Sequence, residues 1–206
     1  MNKIAKEDGF GKVSLLPSKK FVTPEKIAPG MFYYADGLIF PELIRDNQVS
    51  AIVGCVEKNH GLAIGLQETK LPWSSDWLYV DMSLGLSGKE ATALMLKAVK
   101  NQGKKAEAAE WCAKYAFDGI DAGTGFMLNK EELVRIFSNR EELCQSIALL
   151  NSGGLVSDSL QEKAYYWSSS EDDEYFAWDV RQSDGNMFSN CKNDSSRVRC
   201  AIEFKI

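Results

Sequence analysis

YYWSSSEDDEYFAWDVRQSDGNMFSNCKNDSSRVRCAIEF, from Tyr165 to Phe204, is the stretch whose reading decides the fold. Its last run alternates: Val198, Cys200, Ile202, Phe204 and Ile206 fall on one face of a strand, and Arg197, Arg199, Glu203 and Lys205 on the other. A second alternation sets Trp178 and Val180 against Asp179 and Arg181. Asp184-Gly185 is a hairpin signal, after which Met187 resumes the apolar face. On this reading Trp167 and Trp178 are buried anchors. Between the anchors, Asp172, Asp173, Tyr175, Asp179, Arg181, Asp184, Asn186, Phe188, Asn190 and Asn193 point outward. That mixture of charge, amide and aromatic groups is the composition of a recognition surface. Tyr supplies contact area at low entropy cost, short polar side chains give adaptable hydrogen bonds, and aromatics with arginine dominate binding hot spots.

Working outward, Met31–Tyr34 and Leu38–Phe40 flank Asp36-Gly37 as one expected hairpin, and Ala51–Val56 and Leu62–Gln67 flank Lys58–Gly61 as another. Pro72–Trp77 is a loop with two tryptophans, read as rim packing or as a ligand-stacking element. Ser87 with Glu90 forms a capping box that opens a helix to about Lys100, closed by Gly103. Further helices are expected over Lys105–Phe117, from Asn129 with Glu132 as cap, and over Glu141–Leu150. Strands, then helices, then an irregular return into two or three C-terminal strands give an α+β class. Residues 1–28, broken by Pro17 and Pro24, read as an irregular lead-in to one domain over 29–206.

The chain has 206 residues, 45% of them hydrophobic, enough for one substantial core. A net charge of −5 argues against nucleic-acid and anionic-membrane partners, and no apolar stretch is long enough to span a bilayer. The opening MNKIAKEDGFGKVS has no hydrophobic core of the kind a signal peptide needs, so none is expected.

Catalytic signatures are thin. His60 is the one histidine and sits on a tight turn without an evident partner. No G-x-S-x-G elbow occurs, and Gly88-Lys89 lacks both the preceding glycine and the following hydroxyl of a phosphate-binding loop. No cofactor is expected. The one metal reading is a calcium ion held by Glu171, Asp172, Asp173 and Glu174 with Asp179 and Asp184 nearby, set against a solvated acidic loop. Of five cysteines, Cys55, Cys112 and Cys144 lie on apolar stripes as expected buried thiols. Cys191 and Cys200 flank one polar loop, with free thiols expected over a disulfide.

Tyr165-Tyr166-Trp167-Ser168-Ser169-Ser170-Glu171, Ala177-Trp178-Asp179-Val180, Asp184-Gly185-Asn186 and Arg197-Val198-Arg199-Cys200 together resemble a bacterial C-type-lectin-like family. That family includes gut-bacterial surface proteins and the variable proteins of diversity-generating retroelements. A looser likeness runs through Phe32–Gly37, His60-Gly61-Leu62 and Gly125-Phe126, so that it covers roughly Gly30 to Phe204. Leu128-Asn129 stands where the family usually has Pro-Ser, and Gln182 where it has an apolar residue. The resemblance implies a C-type-lectin-like fold, with short mixed or antiparallel sheets, flanking helices and a long irregular C-terminal region. It implies a non-catalytic receptor for a protein or glycan, on the cell surface or secreted. It also implies that the outward residues are the diversified ones. Many are Asn or reachable from an Asn codon by changing its adenines, although Lys192 and Gln182 are not. The alternatives are a formylglycine-generating type of enzyme on the same fold, with Cys191 and Cys200 as its cysteine pair, and a structural or adhesin subunit.

Overall fold

Two hairpins begin the chain as the computed structural model describes it, over residues 25–82, 85–117, 119–120 and 123–206. The lead-in expected over residues 1–28 falls, up to residue 24, outside the described residues. β1 (Phe32–Tyr34) pairs antiparallel with β2 (Ile39–Phe40), and Gly37 takes a φ of 84° in the turn between them. β3 (Val49–Glu57) and β4 (His60–Pro72) pair from Glu57↔His60, leaving only Lys58-Asn59 as the turn.

The helices begin where their caps were read. In α1 (Gly88–Gln102) the Ser87 hydroxyl accepts from the Glu90 N–H while the Glu90 carboxylate accepts from the Ser87 N–H, and Gly103 closes the helix in the left-handed region at φ 65°. Asn129 and Glu132 make the same reciprocal pair at the start of α3 (Lys130–Phe137). α2 (Glu107–Lys114) is shorter than its apolar pattern predicts, and α4 (Arg140–Ser152) slightly longer. Between α2 and α3, Phe126–Met127 form a two-residue strand, β5.

Four strands, not two or three, follow the helices: β6 (Tyr165–Glu171), β7 (Phe176–Arg181), β8 (Met187–Cys191) and β9 (Ser195–Lys205). The nine strands of the described residues join one sheet in the order β2-β1-β3-β4-β9-β6-β7-β8, with β5 on β9. The segments around Met31–Phe40 and Arg199–Phe204 therefore share a sheet, as expected. β6 runs parallel to β9 through Tyr166↔Arg197, and the other pairings are antiparallel. The class is α+β.

Helices cover both faces of the sheet. One face packs Ile52, Ile64, Tyr166, Val180 and Ala201 against α3 and α4; the other packs Trp73, Trp167, Val198, Cys200, Ile202 and Phe204 against α1 and α2. The alternation read for β9 holds from Val198 to Phe204, whereas Ile206 lies past the strand and is half exposed. Phe204 lies so close over Gly61 that a Cβ there would force its ring to move.

Three expectations about burial are overturned, the first by this double coverage. Arg199, read as outward, is 5% exposed. Trp167 is buried as expected, but Trp178 is only half-buried, with the Lys130 ammonium 4.3 Å from its ring centroid. Cys144 is exposed, because it sits beside the Leu143–Ile147–Leu150 stripe of α4 rather than on it. All five cysteines are free thiols, Cys191 and Cys200 included.

Candidate functional site

The ten residues read as a recognition surface lie on or beside β6, β7 and β8, the outer end of the sheet. β8 is its edge strand. Register fixes which side chains meet: Tyr165 faces Arg181 and Trp167 faces Asp179 across β6–β7, while Asp179 faces Phe188 and Ala177 faces Asn190 across β7–β8.

At the β7–β8 turn, Asp184 is the organiser. Its carboxylate accepts from Arg181 Nε at 2.9 and 3.0 Å and from Arg181 Nη2, and from the Asn186 backbone N–H at 3.1 Å and Asn186 Nδ2 at 2.9 Å. The Arg181 pairing holds the Asp184 carboxyl below the usual carboxylate range. Arg181 in turn lies 5.4 Å from the Phe188 ring centroid, and Tyr165 meets Phe188 edge-on at 5.3 Å. Phe188 and Asn186 are exposed, and Arg181 half-buried. The result is a polar-aromatic knob whose arginine is fixed before any ligand arrives.

The other predicted residues sit elsewhere. Asp172, Asp173 and Tyr175 are exposed in the β6–β7 turn, five residues up β7 from Arg181, or about 17 Å. There Asp173 Oδ1 accepts from the Tyr175 and Phe176 N–H groups, and Asp172 takes the Ser189 hydroxyl. Asn193 is exposed in the β8–β9 turn, and Asn190 is half-buried. Tyr175, Asp179, Arg181, Asn186 and Phe188 therefore do not make one contiguous face.

Asp179 is the correction within this set. It is 1% exposed, on the covered side of β7 beside Trp167. Asn190 Nδ2 and Ser196 Oγ donate to its Oδ2 at 2.9 and 3.2 Å, while Oδ1 has no hydrogen-bond partner among the described residues. Burial raises its pKa from the ordinary 3.8 to about 6, only partly offset by those two donors. With the folded pKa above the unfolded one, the stability linked to this proton is fully present below pH 4 and is lost as pH rises through about 6. The two values correspond to about 2–3 kcal/mol. Asp179→Asn is expected to flatten the stability profile between pH 4 and 7 and to stabilise the fold above pH 6 by about 1–2 kcal/mol. Urea unfolding across that range checks it, and an unchanged slope would refute the assignment.

The acidic run does not converge on a point. Glu171 Oε1 takes the Lys192 ammonium at 2.6 Å, and the Glu171 carboxylate also accepts from the Val80 and Met82 N–H groups at 3.0 and 3.4 Å. No cluster of three or more His, Cys, Asp or Glu side chains suited to a metal occurs among the described residues. His60 lies 3.7 Å from Glu57 at the hairpin tip. Cys200, proposed with Cys191 as a reactive pair, is instead fully buried and in side-chain contact with Cys112, and burial pushes its thiol far above the usual range.

Sequence reasoning missed Tyr165 as a member of the knob, although counting back through the hairpin would have paired it with Arg181. It also missed Glu68, which has no nearby motif. Glu68 is held by Arg197, by Arg199 Nη2 at 2.9 Å and by the Tyr166 hydroxyl at 2.8 Å, in the interior where β4, β9 and β6 adjoin.

No protein-family model and no curated protein matches the chain. Among solved structures, it is similar to a fimbrial protein from Bacteroides ovatus ATCC 8483, with a TM-score of 0.68 at 15% sequence identity. The match covers 86% of this chain and 49% of that one, so the chain spans about half the length of the fimbrial protein. At this identity the likeness concerns the fold.

Proposed function

We propose that the chain is a non-catalytic, adhesin-like binding module of a bacterial surface protein, with a C-type-lectin-like fold, and that its ligand-contacting site is the knob at the β7–β8 turn. The observation that carries the reading is the pre-set cluster of Arg181, Asp184, Asn186, Phe188 and Tyr165 at the outer end of the sheet, with Asp184, Asn186 and Phe188 exposed and Arg181 and Tyr165 half-buried. An arginine already locked by a carboxylate loses little freedom on binding, and two edge-packed aromatics offer apolar area beside hydrogen-bonding amides. Such a surface suits a protein or a glycan. With Trp167, Val180 and Val198 buried beneath, the framework is expected to tolerate changes on the knob without loss of fold. That tolerance also fits diversification by a retroelement, which a template copy of residues 165–204 differing only at adenines would establish. The fold shared with a fimbrial protein supports a location at the cell surface and a role in contact rather than in chemistry.

The test is a screen against surface proteins and glycans, with the unaltered protein beside a Tyr165→Ala, Arg181→Ala, Phe188→Ala variant. The triple variant is expected to keep its melting temperature within a few degrees and to lose its targets by tenfold or more. Equal binding by both proteins would exclude the knob.

A further inference from the structure

A second exposed aromatic patch stands at the opposite end of β7. Trp77, in the loop after β4, meets Tyr175 edge-on at 5.7 Å between centroids. Tyr79 is 44% and Tyr175 50% exposed, a large solvent-facing area for two aromatic residues. The loop is fixed, not loose. The Trp77 carbonyl accepts from Lys104 Nζ at 2.7 Å, the Tyr79 carbonyl from Gln102 Nε2 at 2.6 Å, and the Leu78 N–H donates to Ser74 Oγ at 2.8 Å. These bonds hold Trp77 at a φ of 55°, a conformation that bulky residues rarely adopt.

Carboxylates surround the rings. The Tyr79 hydroxyl donates to Asp81 at 3.1 Å, and Asp81, Asp173 and Glu174 are all exposed. Both phenols register that field. The hydrogen bond to Asp81, followed by its charge and those of Glu171 and Glu174, raises the Tyr79 pKa; the hydrogen bond to Glu174, followed by its charge and that of Asp173, raises that of Tyr175. Two cations lie close by: Lys192, fully buried and paired with Glu171, is 5.7 Å from the Tyr79 ring centroid, and Lys104 is bound to the Trp77 carbonyl; the exposed carboxylates of Asp81, Asp173 and Glu174 outnumber them. Electron-rich ring faces inside a ring of carboxylates disfavour an anion and add nothing for a neutral sugar that the knob does not offer. They suit a cation, which gains from the rings and from the charges together.

We propose that this patch is a second binding site, independent of the knob, for lysine or arginine side chains presented by an extended segment of a partner protein. Tyr79 and Tyr175 would cover the alkyl stem and the cationic head, and Asp81 and Glu174 would pair with the charge.

The experiment is a fluorescence-anisotropy titration with a labelled peptide of alternating glycine and lysine, and with its lysine-acetylated counterpart. Four proteins are compared: unaltered, Tyr79→Ala with Tyr175→Ala, Asp81→Asn with Glu174→Gln, and Tyr165→Ala with Phe188→Ala. Asparagine tolerates the positive φ of 56° at position 81, so the charge variant keeps its backbone. The unaltered protein is expected to bind the lysine peptide and not the acetylated one. The first two variants should weaken binding about tenfold each, and the knob variant should leave it unchanged. The site is overturned if acetylation makes no difference, if the Tyr79/Tyr175 variant binds as well as the unaltered protein, or if the knob variant loses binding equally. Because the knob screen uses different substitutions, failure of either site leaves the other standing.

Discussion

Glu68→Ala is expected to remove about 3–5 kcal/mol of stability, enough to unfold a large share of the molecules at physiological temperature. Glu68 is 3% exposed at its side chain, as is Arg199, and its carboxylate also holds Arg197 and the Tyr166 hydroxyl. Truncation leaves the Arg199 guanidinium buried with only the carbonyls of Gly65 and Asp158 to receive it. It also strips an acceptor from Tyr166, whose phenol is buried beside Phe137. The position matters as much as the charge. Glu68 lies where the pairing of β4 with β9 shifts register after Ile64, so the ion cluster occupies the irregularity between two well-paired stretches. Denaturant titration reads the loss directly. A cost under about 1 kcal/mol would mean that water enters and replaces the carboxylate. Glu68→Gln should fall between the two, since it keeps one acceptor oxygen but turns the other into an amide donor that cannot accept from an arginine.

Lys192→Met should cost a comparable amount, about 3–5 kcal/mol, and for the mirror-image reason. Lys192 has no exposed side-chain surface. Its ammonium bonds Glu171 at 2.6 Å, the Leu78 carbonyl at 2.8 Å and the Glu174 carbonyl at 3.3 Å, and lies 4.8 Å from the Trp73 ring centroid. One cation thereby ties the Trp73–Met82 loop to the β6–β7 turn. The methionine fills the volume but leaves the Glu171 carboxylate, 3% exposed, with only two backbone N–H donors. A double variant, Lys192→Met with Glu171→Leu, removes both charges and is expected to recover most of the loss. If the single variant is harmless, or the double variant is worse, the pair is not the anchor described.

These two ion clusters also explain what could be read from the chain and what could not. Local signals were legible because their physics is local. Lys58-Asn59 and Asp184-Gly185 turn their hairpins, Ser87 with Glu90 and Asn129 with Glu132 cap their helices, and Gly103 ends α1 in a conformation that favours glycine. The alternation of β9 separated its two faces correctly. Alternation cannot tell whether the second face meets water, and here helices or loops cover both. Arg199 and Asp179 were placed outside on the rule that charge stays exposed, and each is buried by partners the pattern does not reveal. The partner of Arg199 lies 131 positions away. Within the knob, Arg181, Asp184, Asn186 and Phe188 were read together because one tight turn joins them, whereas Tyr165 required the register of β6. The second patch needed the loop after β4 to be carried across to Tyr175, a juxtaposition that tryptophan spacing alone does not supply.

The central place of β9 in the sheet bears on how the protein is born. Its neighbours β4 and β6 belong to halves of the sheet that share no other strand on the main path, β2-β1-β3-β4 on one side and β6-β7-β8 on the other. Residues 195–205 are the last of the described elements to leave a ribosome or a secretion channel, and until they emerge the two halves cannot pair into one sheet. The early hairpins would wait with an open edge along β4, and the Glu68 carboxylate would wait without Arg197 and Arg199. Productive folding is therefore a late, long-range event, of the kind that proceeds slowly and leaves strand edges open to chaperones in the meantime.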